Sequence, residues 1–219
     1  MTASPNWIVA GFAAILLVSA CPTSSMAQPK LSIDRLVEYF EIVVFGAARE
    51  TPKSPFIRKW KSGSTLTYKI GGNTQSVKTF RAVIEKHGKA LAFDTGLKFL
   101  EIGQNDSGEH FTIWFSEPNE MIKARLMVEK NVRTVRRAAF NANCYFLKYS
   151  LQTGAYIKSM IVINRANTFT DVDHCLLKEM TQSLGLPNDN QLVSPSIFND
   201  TEKHLELTHV DRTLAYALR

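Results

Sequence analysis

The chain is poor in the features that usually announce a chemistry. It has three cysteines, no internal repeat, and no apolar run of the about 20 residues that an ordinary membrane-spanning helix needs. No nucleic-acid-binding motif is present, so nucleic acid is not an expected partner. No Ser-His-Asp or Cys-His arrangement can be read from it, which leaves any enzymatic reading without a conventional nucleophile. What is present is the composition of a globular protein: 45% hydrophobic and 21% charged residues, unlike a disordered tail. A length of 219 residues suits one ordinary domain with little left for a second. The net charge of +6 and pI near 9.2 favour anionic surfaces such as lipid or glycan.

The N-terminal stretch reads as a targeting segment. Trp7 to Ala20 is apolar but too short to span, and no Lys or Arg precedes it. Ser25-Met26-Ala27 offers a signal peptidase site after Ala27. Val18-Ser19-Ala20-Cys21 also fits a lipobox, in which Cys21 is acylated and becomes the new N-terminus. Both readings export the protein, either to the periplasm or to a membrane through a lipid on Cys21. The expected parse is a signal peptide over 1–27 (or a lipoprotein signal over 1–20), an N-terminal linker and helix over 28–57, and a domain over 58–219. Beyond Cys21 only Cys144 and Cys175 remain. In an oxidising compartment two thiols are most simply one disulfide, worth about 3–4 kcal/mol in the chain-entropy model. Two buried free thiols are the alternative.

Periodicity orders the rest. Ile33, Leu36, Val37, Phe40 and Val43 have helical spacing within 32–50, and Pro52 and Pro55 end that pattern. Thr65 to Ile70 reads as a strand stopped by Gly71-Gly72. Val77, Phe80, Val83, Ile84, His87 and Leu91 form one helix face, capped by Asn73 or Thr74 and ended at Gly96. Leu97–Ile102 and His110–Phe115 are two short strands, and Glu117–Arg137 reads as a helix or a long lid. Cys144–Leu151 and Ala155–Ile163 form a hairpin across Gln152-Thr153-Gly154. A helix over about 172–184 has Thr170 and Asp173 spaced as a capping box and Gly185 as its stop. Residues 187–200 are loop-like, and 208–218 close the chain as a short helix.

That late helix carries the specific signal. Lys178-Glu179-Met180-Thr181-Gln182-Ser183-Leu184-Gly185-Leu186-Pro187-Asn188 has the layout H-E-x-x-H-x-x-G-x-x-H. It resembles the metzincin motif, with the Leu-Gly-Leu turn and the glutamate in place. Lys59-Trp60 with Leu66 to Ile70 resembles the first strand of matrixin-type domains. Ser196-Ile197-Phe198-Asn199 stands where that family has its Met-turn, and Leu207-Thr208, Asp211, Leu214 and Tyr216 resemble the closing helix. The resemblance covers most of 58–219 and implies an α+β, zincin-like (metzincin-type) domain with a small mixed sheet and long helices. The same residues, from His174 to Gln182, Leu184 to Asp189 and Ser196 to Asp200, more closely resemble an exported proteobacterial family. That family is domain of unknown function 2927, whose members include lipoproteins. This second resemblance implies that the missing histidines are the family's norm; it implies no activity.

The departures from the metzincin motif bear on chemistry. The three histidine positions are Lys178, Gln182 and Asn188, and the Met-turn methionine is Phe198. Zinc takes imidazole, thiolate or carboxylate; a lysine must first lose its proton, and an amide is a poor ligand. The expected cleft residues are therefore Lys178, Gln182, Asn188 and Asp189, with Glu179 the surviving candidate for catalysis. No metal and no cofactor is expected at this motif. His204 and His209, five apart, are poorly spaced for a chelate on a helix, and a metal set of His174, Glu179 and His204 is the disfavoured alternative. The expected function is a non-catalytic binding module of the cell envelope, holding an extended peptide or envelope protein against an edge strand. The alternative is a hydrolase or peptidase with a rearranged metal site, or one using Glu179 without zinc. A basic patch, Lys123, Arg125, Lys130, Arg133, Arg136 and Arg137, reads as a solvated face or as a contact with an anionic membrane surface.

Overall fold

Ser32, whose hydroxyl accepts from the Arg35 N–H, opens the first element of a computed structural model that describes residues 31–46, 56–126 and 143–219. The leader with Cys21, and Lys130, Arg133, Arg136 and Arg137 of the basic patch, lie outside the described residues. In chain order the described elements are α1 (Ile33–Phe45), β1 (Thr65–Gly72), α2 (Thr74–Thr95), β2 (Lys98–Glu101) and β3 (Phe111–Ser116). A 3-10 turn at Pro118–Glu120 leads into α3 (Met121–Leu126). Then follow β4 (Cys144–Ser150), β5 (Tyr156–Asn164), α4 (Phe169–Gln182) and α5 (His209–Tyr216).

The strands form one sheet in the order β2-β1-β3-β5-β4. The first four are mutually parallel, and β4 returns antiparallel to β5 as an edge strand. Parallel neighbours need crossovers, and α2 supplies the one between β1 and β2. This is the α+β arrangement with a small mixed sheet and long helices that the sequence implies. Buried residues of α1, α2, α4 and α5 pack with Leu66, Ile70, Phe111, Ile113, Phe115, Ile161 and Ile163 in one core. Met121, Tyr145, Met160 and Val162 form a smaller cluster, with Ile122 and Leu147 against it. Since Tyr145 and Leu147 alternate along β4 with Cys144 and Phe146 of the main core, the two clusters lie on opposite sheet faces. Tyr39, Val43 and Val44 place α1 inside the main core, so 31–219 pack as one unit.

Two local expectations need correction. Gly71-Gly72 does not stop β1: the strand runs through both, paired with Trp114 and Phe115. Gly72 has φ 91°, and a Cβ there would stand 2.1 Å from the Phe115 carbonyl oxygen. The glycines permit close approach of two strands rather than a turn. The capping box of α4 lies two residues earlier than the spacing of Thr170 and Asp173 suggests. Thr168 accepts from the Asp171 N–H at 3.2 Å and donates to its carboxylate at 2.6 Å. Phe169 stacks on Phe80, which fixes the earlier start, and Asp173 is turned inward toward α2.

Candidate functional site

Cys175, Leu176, Leu177 and Met180 bury one side of α4 in the core, while Lys178 and Gln182, four apart, share another. After the helix, Leu184-Gly185-Leu186 reverses the chain with both leucines buried. Gly185 has φ 142°, and a Cβ would meet the Arg58 carbonyl oxygen at 3.0 Å, so only glycine allows this close return. The reversal brings Asp189 back over the helix. The Lys178 ammonium lies 3.1 Å from the Asp189 carboxylate and also bonds that of Asp200. The Gln182 amide donates to the other Asp189 oxygen at 2.6 Å. Lys178, Gln182 and Asp189 are therefore brought together, with Asp200 as a fourth member that the sequence reading missed.

Asn188 is not part of that cluster. Its side-chain amide donates to the carbonyls of Val43 at 2.9 Å and Val44 at 3.3 Å, and its own N–H bonds Val43 at 3.1 Å. These are last-turn carbonyls of α1 with no partner within their helix. The position matching the third metal ligand thus holds the N-terminal helix. Trp60 does a similar thing for α4, donating from its indole to the Ser183 carbonyl at 3.0 Å.

Glu179 is 5% exposed and, among the described residues, accepts no hydrogen bond on its carboxyl group. Burial pushes its pKa up to about 8, with Asp189 and Asp200 adding to the rise and the Lys178 charge opposing it. The shift favours the neutral carboxylic acid. Burial also raises Asp189 above the usual carboxylate range against the pull of Lys178; a third of its side chain is exposed, which tempers the rise. For Lys178, burial alone would lower the pKa, but Asp189 and Asp200 outweigh it and the ammonium is held charged.

This donor set does not fit zinc. A charged ammonium offers zinc no lone pair, the Gln182 amide is a poor ligand and is tied to Asp189, and Asn188 faces α1. The alternative trio does not assemble either. His174 Nδ1 lies 2.9 Å from the His204 carbonyl oxygen, while the His204 ring lies 2.7 Å from Glu202. Among the described residues no three His, Cys, Asp or Glu side chains converge as metal ligands.

Further placements complete the site's frame. Cys144 and Cys175 form a disulfide that ties the start of β4 to α4. Phe198, at the Met-turn position, is fully buried beneath the helix. Its turn is held by Asp211, which accepts from Ser196 Oγ at 2.6 Å and from the Ile197 N–H, while completing a capping box with Thr208. His87, 1% exposed, lies 2.6 Å from Asp173 and couples α2 to α4. Burial lowers its pKa despite that partner. The helix-face pattern showed His87 on the buried side, but nothing in the sequence paired it with Asp173. Lys123 lies on α3, exposed and 3.6 Å from Glu120, and Arg125 is on the same helix.

A family model described as protein of unknown function (DUF2927) matches residues 34–218. No curated protein matches the sequence. Among solved structures, two of myroilysin are 13% and 12% identical, with TM-scores of 0.38 and 0.36. The alignments cover 60% and 64% of this chain and 47% and 48% of theirs, so the chain spans about half their length. High choriolytic enzyme 1, a hatching enzyme zinc-protease from the medaka fish Oryzias latipes, is 13% identical with a TM-score of 0.40. That match covers 75% of this chain and 95% of the fish enzyme.

Proposed function

This chain belongs to the DUF2927 family of proteins of unknown function, and from that premise we propose that it is an exported, non-catalytic peptide-binding module of the cell envelope. One observation carries the reading: the Lys178 ammonium, at the position of a metal ligand in the motif, is paired with Asp189 and Asp200. A site whose cation is the protein's own side chain supplies no activated water. The reading places the peptide in a groove between β4 and α4. Among the described residues β4 is an edge strand, and an extended peptide adds to such an edge through main-chain hydrogen bonds. The disulfide fixes one end of β4 to α4. Near the other end, Tyr156 of β5 donates its N–H to the Lys59 carbonyl, and the adjacent Trp60 bonds the end of α4.

A second reading is favoured by one observation, the burial of the Glu179 carboxyl, which raises its pKa and suits a general acid. It is a hydrolase that acts through Glu179 without zinc. Both readings are tested on the mature domain purified from periplasm without chelators. Metal content is measured by mass spectrometry, cleavage by a mixed peptide library, and binding by amide chemical shifts of β4. The binding-module reading expects no stoichiometric zinc, no cleavage, and shifts along β4. Cleavage abolished by Glu179→Gln would establish the hydrolase instead. Stoichiometric zinc would overturn the ligand argument.

A further inference from the structure

We propose that Lys148 and the Tyr156 hydroxyl form an anion subsite on the α4-facing side of β4, built to take a carboxylate of the bound peptide. The face is fixed by covalent chemistry. Cys144 is bonded to Cys175 of α4, and side chains alternate along a strand, so Phe146, Lys148 and Ser150 lie on the same face as Cys144. Tyr156 pairs with Ser150 across the hairpin, after a register shift, and its ring belongs to the main core on that face.

The Tyr156 ring is 5% exposed, and its hydroxyl has no hydrogen-bond partner among the described residues. Buried hydroxyls are rarely left so, because an unmade hydrogen bond there keeps its full desolvation cost. Lys148 Nζ lies 5.6 Å from the centre of that ring and 5.4 Å from that of Phe146. Unlike Lys178, it has no carboxylate partner among the described residues. Burial brings its pKa down to about 8, and the neighbouring Arg58 charge lowers it further. Arg58 itself donates to Ser150 Oγ at 2.9 Å on the same wall. Among the described residues, a desolvated ammonium without a carboxylate partner and an unused phenolic donor lie on one wall, and the nearby Arg58 charge adds to the positive potential there. A carboxylate is the acceptor that neutralises this cation, and the phenolic hydroxyl beside it is a further donor for the same group. An aspartate or glutamate of a peptide lying along β4 would bring it there. The occupant rests on the peptide-groove reading; the capacity to bind an anion does not.

The test separates the two. Lysines are reductively methylated with carbon-13, and the Lys148 signal is identified by its loss in Lys148→Arg. The signal is followed during titration with acetate and, separately, with inorganic phosphate. The subsite expects acetate to raise the Lys148 pKa saturably, and Tyr156→Phe to weaken acetate binding by about tenfold. No response to acetate overturns the carboxylate assignment, even if phosphate gives one. In the second arm, two peptides differing only by Glu for Gln are titrated against the unmethylated protein. A Glu preference of about tenfold, abolished in Lys148→Met, supports the assignment. Equal binding of the two peptides sinks it while leaving the groove intact. A Lys148 response to acetate with no binding of either peptide retains the subsite and removes the peptide reading.

Discussion

The side-chain amide of Asn188 donates to the main-chain carbonyl of Val43 at 2.9 Å, across 145 residues of sequence. The bond joins the turn after α4 to the last turn of α1, and it uses a side chain whose motif position belongs to a metal ligand in metzincins. Asn188→Ala is expected to take the side-chain donor from the Val44 carbonyl, leave Val43 with only the backbone N–H of residue 188, and cost about 1–3 kcal/mol. Urea unfolding checks this. A loss well below that range would mean that water or a backbone shift replaces the amide.

Lys178 is the keystone of the charged cluster, and its removal leaves Asp189 and Asp200 facing each other and Glu179. Both aspartates are partly exposed, which moderates the effect, so Lys178→Met is expected to destabilise by about 1–2 kcal/mol at neutral pH. The difference should shrink as the pH falls and Asp189 protonates, because the attraction is then lost from the unmutated protein as well. Parallel denaturation curves at several pH values read this directly. A difference independent of pH would show that Lys178 matters for packing and not for charge.

Glu179 predicts a pH slope of opposite sign to that of an ordinary salt-bridged carboxylate. Its folded pKa, near 8, exceeds the ordinary glutamate value of 4.5, so between those values the native state holds a proton that the unfolded chain releases. Its contribution is therefore fully present below about pH 4.5 and is lost as pH rises through about 8. The slope from this one group is at most about 1.4 kcal/mol per pH unit. Glu179→Gln should flatten the decline and make the variant the more stable protein at the alkaline end. His87 acts the other way: its lowered pKa costs stability as the pH falls below 6.5, in both proteins alike. An unchanged alkaline decline in Glu179→Gln would place the carboxylate in a wetter setting than its burial implies.

The sequence carried the fold better than the site. Alternation in Thr65–Ile70, the apolar end of Ala155–Ile163 behind the Gln152-Thr153-Gly154 turn, the cap at Asn73 and the stop at Gly96 are local signals, and β1, β5 and α2 sit where they point. The Thr208–Asp211 box was not recognised as a cap, although its spacing is as local as any of these. Gly71-Gly72 misled because a glycine pair reads as a turn until the neighbouring strand is known. At the site, the motif spacing identified Lys178, Gln182, Asn188 and Asp189. It could not distribute them, because partners such as Asp200 and Val43 depend on how distant segments return. The His87–Asp173 and Lys148–Tyr156 pairs are non-local in the same way and leave no periodic trace.

The Cys144–Cys175 bond is where sequence, fold and groove meet, and its removal gives the last expectation. The two residues are 31 apart, and the bond fastens the edge strand β4 to α4, both of which wall the proposed groove. Closing a loop of that length restricts the unfolded chain, so the double change Cys144→Ala/Cys175→Ala should cost about 3–4 kcal/mol. Alanine is the right replacement because Cys175 is 4% exposed, and a serine hydroxyl there would add its own burial cost. Part of the alanine loss comes from removing two buried sulfur atoms, so the unmutated protein is also unfolded in the presence of a thiol reductant. Reduction keeps the packing atoms and removes only the link. If the cross-link carries the stability, reduction and double substitution should lower the unfolding midpoint by similar amounts. If reduction leaves the midpoint unchanged while the substitution lowers it, the cysteines act as small buried hydrophobes and the groove is held by packing alone.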